Sequence, residues 1–431
     1  MSASDAIHPL ETLNPQVRSR FPMIDRDALG NPRTYLNTGA GSLTVDTAAK
    51  ASFEAQGRLN PMPGTVVAGE AETAALQARV RDLAADFLHA CSGREISFHL
   101  SATAALFDLA FSLRGVLSPK ANLVVTDLDH MANVSPWETV WGEGFGLEVR
   151  RTRLTAEGTL DVSHLLSLVD GRTGLLAATA ASNGNGSLVP LKDLAAAVHE
   201  KCPGCLIVVD AVHHAPHGSL DVERSGIDLL VFSGYKVFGP MLGVLWGREE
   251  VLERLRPYRV ETNKDVLPGK FEMGMVNNAS VAALGAALEY LLWLADLLPR
   301  PASPWPDRAA KFLFVMDAIA DYERTLARGV LEGLSEARLP GFRLFGLDDP
   351  ARAGERVPTF AFDLAGLTAT EIKSRLWKRS GIQIADGNHY SAAVVRHLGR
   401  PEGIARASFA HYDNRATVDR FLAALPGLEK G

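Results

Sequence analysis

Six short apolar runs alternate with helix-period segments between roughly residues 75 and 290, and this alternation constrains the fold more than any other feature. The runs are Ile96–Leu100, Leu123–Thr126, Leu175–Thr179, Leu206–Asp210, Leu229–Phe232 and Gly243–Trp246. Each is apolar on both faces, as central strands of a mainly parallel sheet must be when helices cover both sides. Between them, Leu106, Leu109, Ala110 and Leu113 repeat at i, i+3, i+4, i+7, and Leu191, Leu194, Ala195 and Val198 do the same within Pro190–Lys201. The pattern predicts a large α/β domain. Met275–Ala295 reads as a long apolar helix leaving it. Pro299, Pro301, Pro304 and Pro306 then interrupt the pattern, as a surface connection or as a loop bordering a substrate entrance. A smaller unit follows, mixing helices with strands such as Thr359–Asp363. The expected division is an N-terminal segment, 1–34, that contributes to the small domain, a large domain over 35–295, and a small C-terminal domain over 296–431.

At 431 residues the chain is long enough for two or three domains at about 150 residues each, without disulfides or structural metal. Apolar residues at 47% and charged residues at 22% exclude a disordered or fibrous chain. The net charge of −6, with no arginine- or lysine-dense stripe, argues against a nucleic-acid partner. Three cysteines argue against a disulfide framework and for a reducing compartment. Cys202-Pro203-Gly204-Cys205 reads as a turn before a buried strand, since a zinc ribbon needs a second pair and Cys91 stands alone. Met1–Arg20 shows no secretory pattern, and no uninterrupted apolar stretch suits a membrane span. A cytoplasmic protein binding neither metal, membrane nor nucleic acid is expected.

Four signals at the strand ends carry unusual chemistry. Lys236 follows the apolar run Leu229–Phe232 directly, within Ser233-Gly234-Tyr235-Lys236. A lysine there either snorkels from a strand end or is desolvated, and desolvation makes an amine nucleophilic enough to form a Schiff base. Asp210 ends another run, where open α/β sheets bind ligands. Were the ligand a pyridinium ring, Asp210 would keep its nitrogen protonated. Ser101-Ala102-Thr103 offers backbone N–H groups and a hydroxyl to an anion at a helix N-terminus, or a plain N-cap. His130, in Asp127-Leu128-Asp129-His130, is placed to lie over a flat ring, and Asn183 supplies an amide at the same sheet edge. The Ser182–Gly186 run lacks the third glycine of a dinucleotide fingerprint.

With these residues in this order, the chain resembles the class V aminotransferase group of fold-type I pyridoxal-phosphate enzymes. That group includes cysteine desulfurases, selenocysteine lyase, isopenicillin epimerase, kynureninase and carbon–sulfur lyases, with a looser likeness here to its lincosamide-pathway members. The likeness runs from Tyr35-Leu36-Asn37 to Arg406–Tyr412, and its most specific elements are VVDAVHHAPH (Val208–His217), VFSGYKVFGP (Val231–Pro240) and KFEMGMVNN (Lys270–Asn278). It implies a large domain with a mainly parallel seven-stranded sheet and a smaller α+β domain. It implies pyridoxal 5'-phosphate as cofactor, joined to Lys236, with Asp210 on the ring nitrogen and His130 stacked on the ring. Asn183 and His213 would lie near the phenolic oxygen, and Ala102, Thr103, Ser233 and Tyr235 near the phosphate. Gly274 and Met275 match a loop that reaches the neighbouring subunit's phosphate, which implies a homodimer. Arg406 matches the arginine that takes an amino-acid substrate's α-carboxylate, with Asn37 and Tyr390 beside it.

The departures from that pattern bear on the reaction. Tyr390 stands where desulfurases carry the cysteine that accepts sulfur, and all three cysteines lie at or before residue 205. His213 replaces a glutamine, Tyr235 a histidine and Met275 a threonine. The expected reaction is β-elimination from a cysteine S-conjugate without an enzyme thiol. Transamination, epimerisation and decarboxylation-dependent deamination use the same cofactor and stay open at this point. A non-catalytic binding protein on this fold is disfavoured by the presence of both Lys236 and Asp210.

Overall fold

The computed structural model describes residues 7–59, 62–301 and 303–428. A short strand β1 (Thr34–Tyr35) precedes one seven-stranded sheet. Its strands are β2 (Ile96–His99), β3 (Asn122–Thr126), β4 (Glu148–Thr152), β5 (Thr173–Thr179), β6 (Leu206–Asp210), β7 (Leu229–Ser233) and β8 (Gly243–Gly247). Across the sheet the order is β2-β8-β7-β6-β5-β3-β4. The strands from β7 to β4 run parallel, and β8 is antiparallel to both its neighbours. The strand order reverses between β3 and β5, which opens a crevice at their carboxyl ends.

The six apolar runs fall on β2, β3 and β5–β8, with β6 matched at both ends and the others shifted at an end by one or two residues. Leu100 drops out of β2 and is exposed. The seventh strand of the expected sheet, β4, coincides with no apolar run. It lies at the sheet edge with one neighbour, and its sequence EVRRT is charged because Arg150 and Arg151 reach solvent-side partners Glu148, Asp170, Glu138 and Asp127. An edge strand needs no continuous apolar run.

Alternate residues of the sheet feed two cores. Val124, Leu176, Val209, Leu230 and Val244 face one side, and Leu123, Leu175, Val208, Val231 and Leu245 face the other. The second face is covered by the helix Ala102–Ser112 and by Trp137 and Trp141. The long apolar helix begins at Asn278, three residues later than its pattern suggests, because Asn277 caps it by accepting the Ser280 N–H at 3.0 Å. It runs to Leu297 and is long and apolar enough to cross a membrane, yet it packs inside the fold against helices Asp46–Arg58, Ala68–Leu88 and Arg308–Ala337. Gly285 permits that packing: a Cβ there would come within 2.7 Å of Val80.

The C-terminal unit contains the helix Arg308–Ala337 and strands β9 (Phe342–Phe345), β10 (Thr359–Leu364), β11 (Ile382–Gln383), β12 (Ala385–Gly387) and β13 (Ile404–Ser408). β12, β13, β10 and β9 form an antiparallel sheet in that order, and β11 pairs in parallel with β1. The N-terminal helix Pro9–Arg18 docks here too, with Asn14 Nδ2 donating to the carbonyls of Tyr412 and Asp413 at 3.0 and 3.1 Å. Arg406 thus sits in β13, flanked by Ala361 of β10 and Ala385 of β12.

Candidate active site

A cavity of about 800 Å³ opens at the carboxyl ends of the central strands, where β12 and β13 close over them. Asp210, the last residue of β6, is buried in it and accepts the Val212 N–H at 2.9 Å. Burial pushes its carboxyl up to about 6, while the nearby Lys236 ammonium pulls the other way. Lys236 is carried on the single turn Gly234–Lys236 after β7. That turn is tight: a Cβ on Gly234 would meet the Pro240 carbonyl at 2.8 Å. The Lys236 Nζ donates to the Gly39 carbonyl, and burial, reinforced by the Arg406 charge, lowers its amine to about 7. A buried amine that loses its proton near neutrality is a nucleophile at physiological pH.

The helix Ala102–Ser112 points its N-terminus into the same space. Ser101 caps it by accepting the Ala104 N–H at 3.0 Å, so Ala102 and Thr103 head the helix and line the cavity. The cradle depends on Gly243, where a Cβ would come within 2.6 Å of the Ala102 nitrogen. Ser233 and Tyr235 line the same cavity. Helix N–H groups, hydroxyls and the helix dipole together suit a phosphate.

His130 opens the turn after β3. Its Nδ1 accepts the Ala132 N–H at 3.0 Å, which leaves the proton on Nε2, and its ring lies 5.3 Å from that of Tyr390 at 32°. Burial, then Lys236 and Arg406, lower it to about 4, so the ring is neutral. The turn is anchored by Asp129, which accepts the Thr179 N–H at 3.1 Å and the Asn133 amide at 2.7 Å. His213 also lines the cavity, with Nε2 3.0 Å from the Thr359 hydroxyl, and burial holds it well below the usual histidine range.

Arg406 is buried without an acidic partner among the described residues. Its Nη1 donates to the Asn183 carbonyl at 2.6 Å, its Nε has no partner, and burial lowers it to about 10. Gly39 makes room for it, since a Cβ there would approach Arg406 Cζ to 3.0 Å and Ser408 Oγ to 2.5 Å. A desolvated guanidinium with spare donors is built to receive a carboxylate.

A turn from the C-terminal unit roofs the cavity. His389 and Tyr390 both have left-handed backbone, at φ 54° and 56°, a conformation that costs a non-glycine residue about 1 kcal/mol or more. Three bonds hold it there. Asn183 Nδ2 donates to the His389 carbonyl at 2.7 Å, Ser391 Oγ donates to Asn183 Oδ1 at 2.5 Å, and the Met131 N–H donates to the Tyr390 carbonyl at 2.8 Å. Asn183 lines the cavity as expected but spends its amide on this turn.

Asn37 falls elsewhere, and the two residues expected to serve a neighbouring subunit lie away from the cavity of their own chain. Asn37 does not line the cavity: it opens a tight turn, its carbonyl accepting the Ala40 and Gly41 N–H groups, and the turn presents Gly39 and Ala40 instead. Gly274 and Met275 lie outside the cavity of their own chain, with Met275 53% exposed and nothing near Gly274. The described residues of the proline-rich stretch do not border the cavity either. None of the cysteines does: Cys202 and Cys205 are buried at a turn before β6, and Cys91 is exposed. Sequence reasoning missed Thr179, Met131, Asp386 and His389, all of which line the cavity. Only the acid and histidine of the Asp386–Tyr390 turn carried any signal.

A desolvated lysine, a buried acid at a strand end, a neutral histidine ring and an anion-binding helix terminus around one cavity define an enzyme of the pyridoxal-phosphate kind. The residues present fit that cofactor at its aldehyde, its ring nitrogen and its phosphate. The aminotransferase class-V family model matches residues 35–296 and 307–421. A cysteine desulfurase of Pectobacterium carotovorum subsp. carotovorum (strain PC1) is 32% identical over 439 residues, covering 98% of each chain. Among solved structures, the cysteine desulfurase CsdA of Escherichia coli, in an S-sulfonic acid form, is 28% identical with a TM-score of 0.77 over 98% of each chain. The apo cysteine desulfurase of Thermococcus onnurineus NA1, at 24% identity and covering 97% of this chain and 98% of that one, shares the fold with a TM-score of 0.81. The chain belongs to the aminotransferase class-V family and is a pyridoxal 5'-phosphate-dependent enzyme.

Proposed function

We propose that the protein is a carbon–sulfur lyase that performs β-elimination on a cysteine S-conjugate. The observation that carries this reading is the phenol of Tyr390 on the cavity wall beside His130, with none of the three cysteines lining the cavity. Bound pyridoxal phosphate supplies an electron sink for the pair left when a proton departs the substrate's α-carbon. Asp210 would stabilise a proton on the ring nitrogen, His130 would cover the ring face, and the head of the helix Ala102–Ser112 would hold the phosphate. Arg406 grips the α-carboxylate and so fixes the α-proton toward Lys236, whose neutral amine removes it. The Cβ–S bond then breaks and the sulfur leaves as thiolate, taking a proton. With one water consumed, the products are a thiol, pyruvate and ammonium, and no enzyme sulfur takes part.

A homodimer fits this reading. Gly274 and Met275 are exposed and away from their own cavity, which leaves them free to serve a partner's phosphate, and Met273 in the same loop and Met241 just before β8 are exposed as well. The names of the relatives favour a second reading, cysteine desulfuration, which yields alanine and enzyme-bound sulfur. The two separate on products. The holoenzyme is incubated with cysteine and with a series of cysteine S-conjugates, and pyruvate, free thiol and alanine are quantified. Equimolar pyruvate and thiol are expected. Alanine with protein-bound sulfur overturns the lyase reading in favour of desulfuration. Conversion of the cofactor to its amine form without pyruvate overturns it in favour of transamination.

A further inference from the structure

Tyr390 lines the cavity yet is 71% exposed, and its hydroxyl has no hydrogen-bond partner among the described residues. The bonds that hold its left-handed backbone bypass the ring. The Met131 N–H donates to the Tyr390 carbonyl, the Tyr390 N–H donates to Asn388 Oδ1 at 2.9 Å, and Asn183 donates to the His389 carbonyl. A glycine at this position would make the same bonds without the backbone strain, so the turn does not account for the phenol. The ring has one aromatic neighbour, His130, with centroids 5.3 Å apart and planes 32° apart. One face of the phenol thus lies against the imidazole, and the other is open.

The rest of the cavity wall offers no free charge to a group that lies on that open face. Phe107, Met131 and Ala132 are apolar, and Ser135 adds an uncharged hydroxyl. Asp386 is the one carboxylate of the cavity besides Asp210, and it is spent on Lys373 Nζ at 2.7 Å and the Thr370 hydroxyl at 2.6 Å. His389 turns its Nε2 to the Ile404 carbonyl at 3.1 Å, and burial lowers it to about 3, so its ring is neutral. An aromatic group stacked on a phenol gains attraction beyond its burial, whereas a charged group would lose hydration here and find no partner.

We infer that Tyr390 is a specificity-determining residue: its open face receives the sulfur substituent of the substrate, and the substrate is a cysteine S-conjugate whose substituent is a flat, uncharged aromatic group. The inference rests on the carbon–sulfur lyase reading and deepens it. The reaction keeps the same balance, with the aromatic group leaving on the thiol.

The parent holoenzyme and the variants Y390A and Y390F are assayed for pyruvate release from S-benzylcysteine, S-(cyclohexylmethyl)cysteine and S-(4-carboxybenzyl)cysteine. All three lose an alkyl thiolate, so the ratios of kcat/KM report the subsite rather than the leaving group. The parent is expected to favour the benzyl conjugate about 10-fold over each of the others. Y390A is expected to cut the benzyl-to-cyclohexylmethyl ratio about 5-fold, and Y390F, which keeps the ring, to hold that ratio within about 2-fold of the parent. A second readout needs no turnover. The dissociation constants of 3-(benzylsulfanyl)propanoate and 3-(methylsulfanyl)propanoate, which carry the carboxylate and the substituent but no amine, are measured by fluorescence titration of the same holoenzymes. The benzyl analogue should bind the parent about 10-fold more tightly, and Y390A should lose most of that margin. A parent that favours the cyclohexylmethyl or carboxybenzyl conjugate, or a Y390A that keeps the parent's ratio, overturns the inference and leaves the lyase reading standing. Absence of pyruvate from every conjugate overturns the lyase reading instead. The analogues then decide the subsite alone, and a benzyl analogue that binds no more tightly than the methyl one overturns the inference as well.

Discussion

Replacing Lys236 by methionine should make the cofactor-free protein more stable. The Lys236 ammonium is buried, donates to a backbone carbonyl rather than a carboxylate, and shares its surroundings with the Arg406 charge. Those conditions lower its amine from 10.5 to about 7. The folded chain then binds this proton less tightly than the unfolded chain. Between pH 7 and 10.5 the unfolded state holds the proton and the folded state does not, so wild-type stability climbs with pH across that window. At and below pH 7 the full cost is present, about 5 kcal/mol at 1.4 kcal/mol per tenfold. Methionine keeps most of the volume and carries no charge, while the lost hydrogen bond to Gly39 takes back about 1 kcal/mol. A net gain of about 3–4 kcal/mol is expected near neutral pH. Urea unfolding of the stripped proteins at several pH values measures it. The variant should lead near pH 6.5, and its lead should shrink as pH approaches 10. A variant no more stable than wild type near pH 6.5, or a lead that stays constant with pH, would refute the reasoning.

Three other outcomes follow from the same geometry. In Gly39→Ala the new Cβ must displace Arg406 or Ser408, so the amino-acid KM should rise about 10-fold while kcat changes little; steady-state kinetics check this, and an unmoved KM contradicts the packing. Asp210→Asn should keep the bound cofactor's visible absorbance but lose about 100-fold or more in kcat, because an amide does not hold the ring nitrogen protonated. The rate at which stripped protein captures pyridoxal phosphate should rise through a midpoint near pH 7, where the Lys236 amine becomes neutral, and then level off; a rate still climbing toward pH 10 would mean an ordinary lysine.

The sequence displayed those parts of the fold where burial forces residue choice. Central strands are apolar on both faces, so β6 could be read to the residue, and Asp210 and Lys236 stood out as charges where such strands end. β4 was silent because an edge strand tolerates Glu148, Arg150 and Arg151. Asn37 illustrates another limit. Its place in a Tyr-Leu-Asn motif suggested a ligand contact, but the turn it starts hands that contact to Gly39, which has no side chain to notice. The roof over the cavity was the least legible. Asn183 and His389 meet across 206 residues, and no local periodicity reports such a contact. The cap on the long helix shows the opposite case, a boundary set by one side chain that the apolar pattern overran by three residues.

The account stands or falls on which amine the cofactor joins. Reducing the holoenzyme with borohydride and mapping its peptides by mass spectrometry should place a pyridoxyl group on Lys236 and bleach the visible absorbance in proportion. A label on any other lysine, or a coloured protein that borohydride leaves unlabelled, would contradict it.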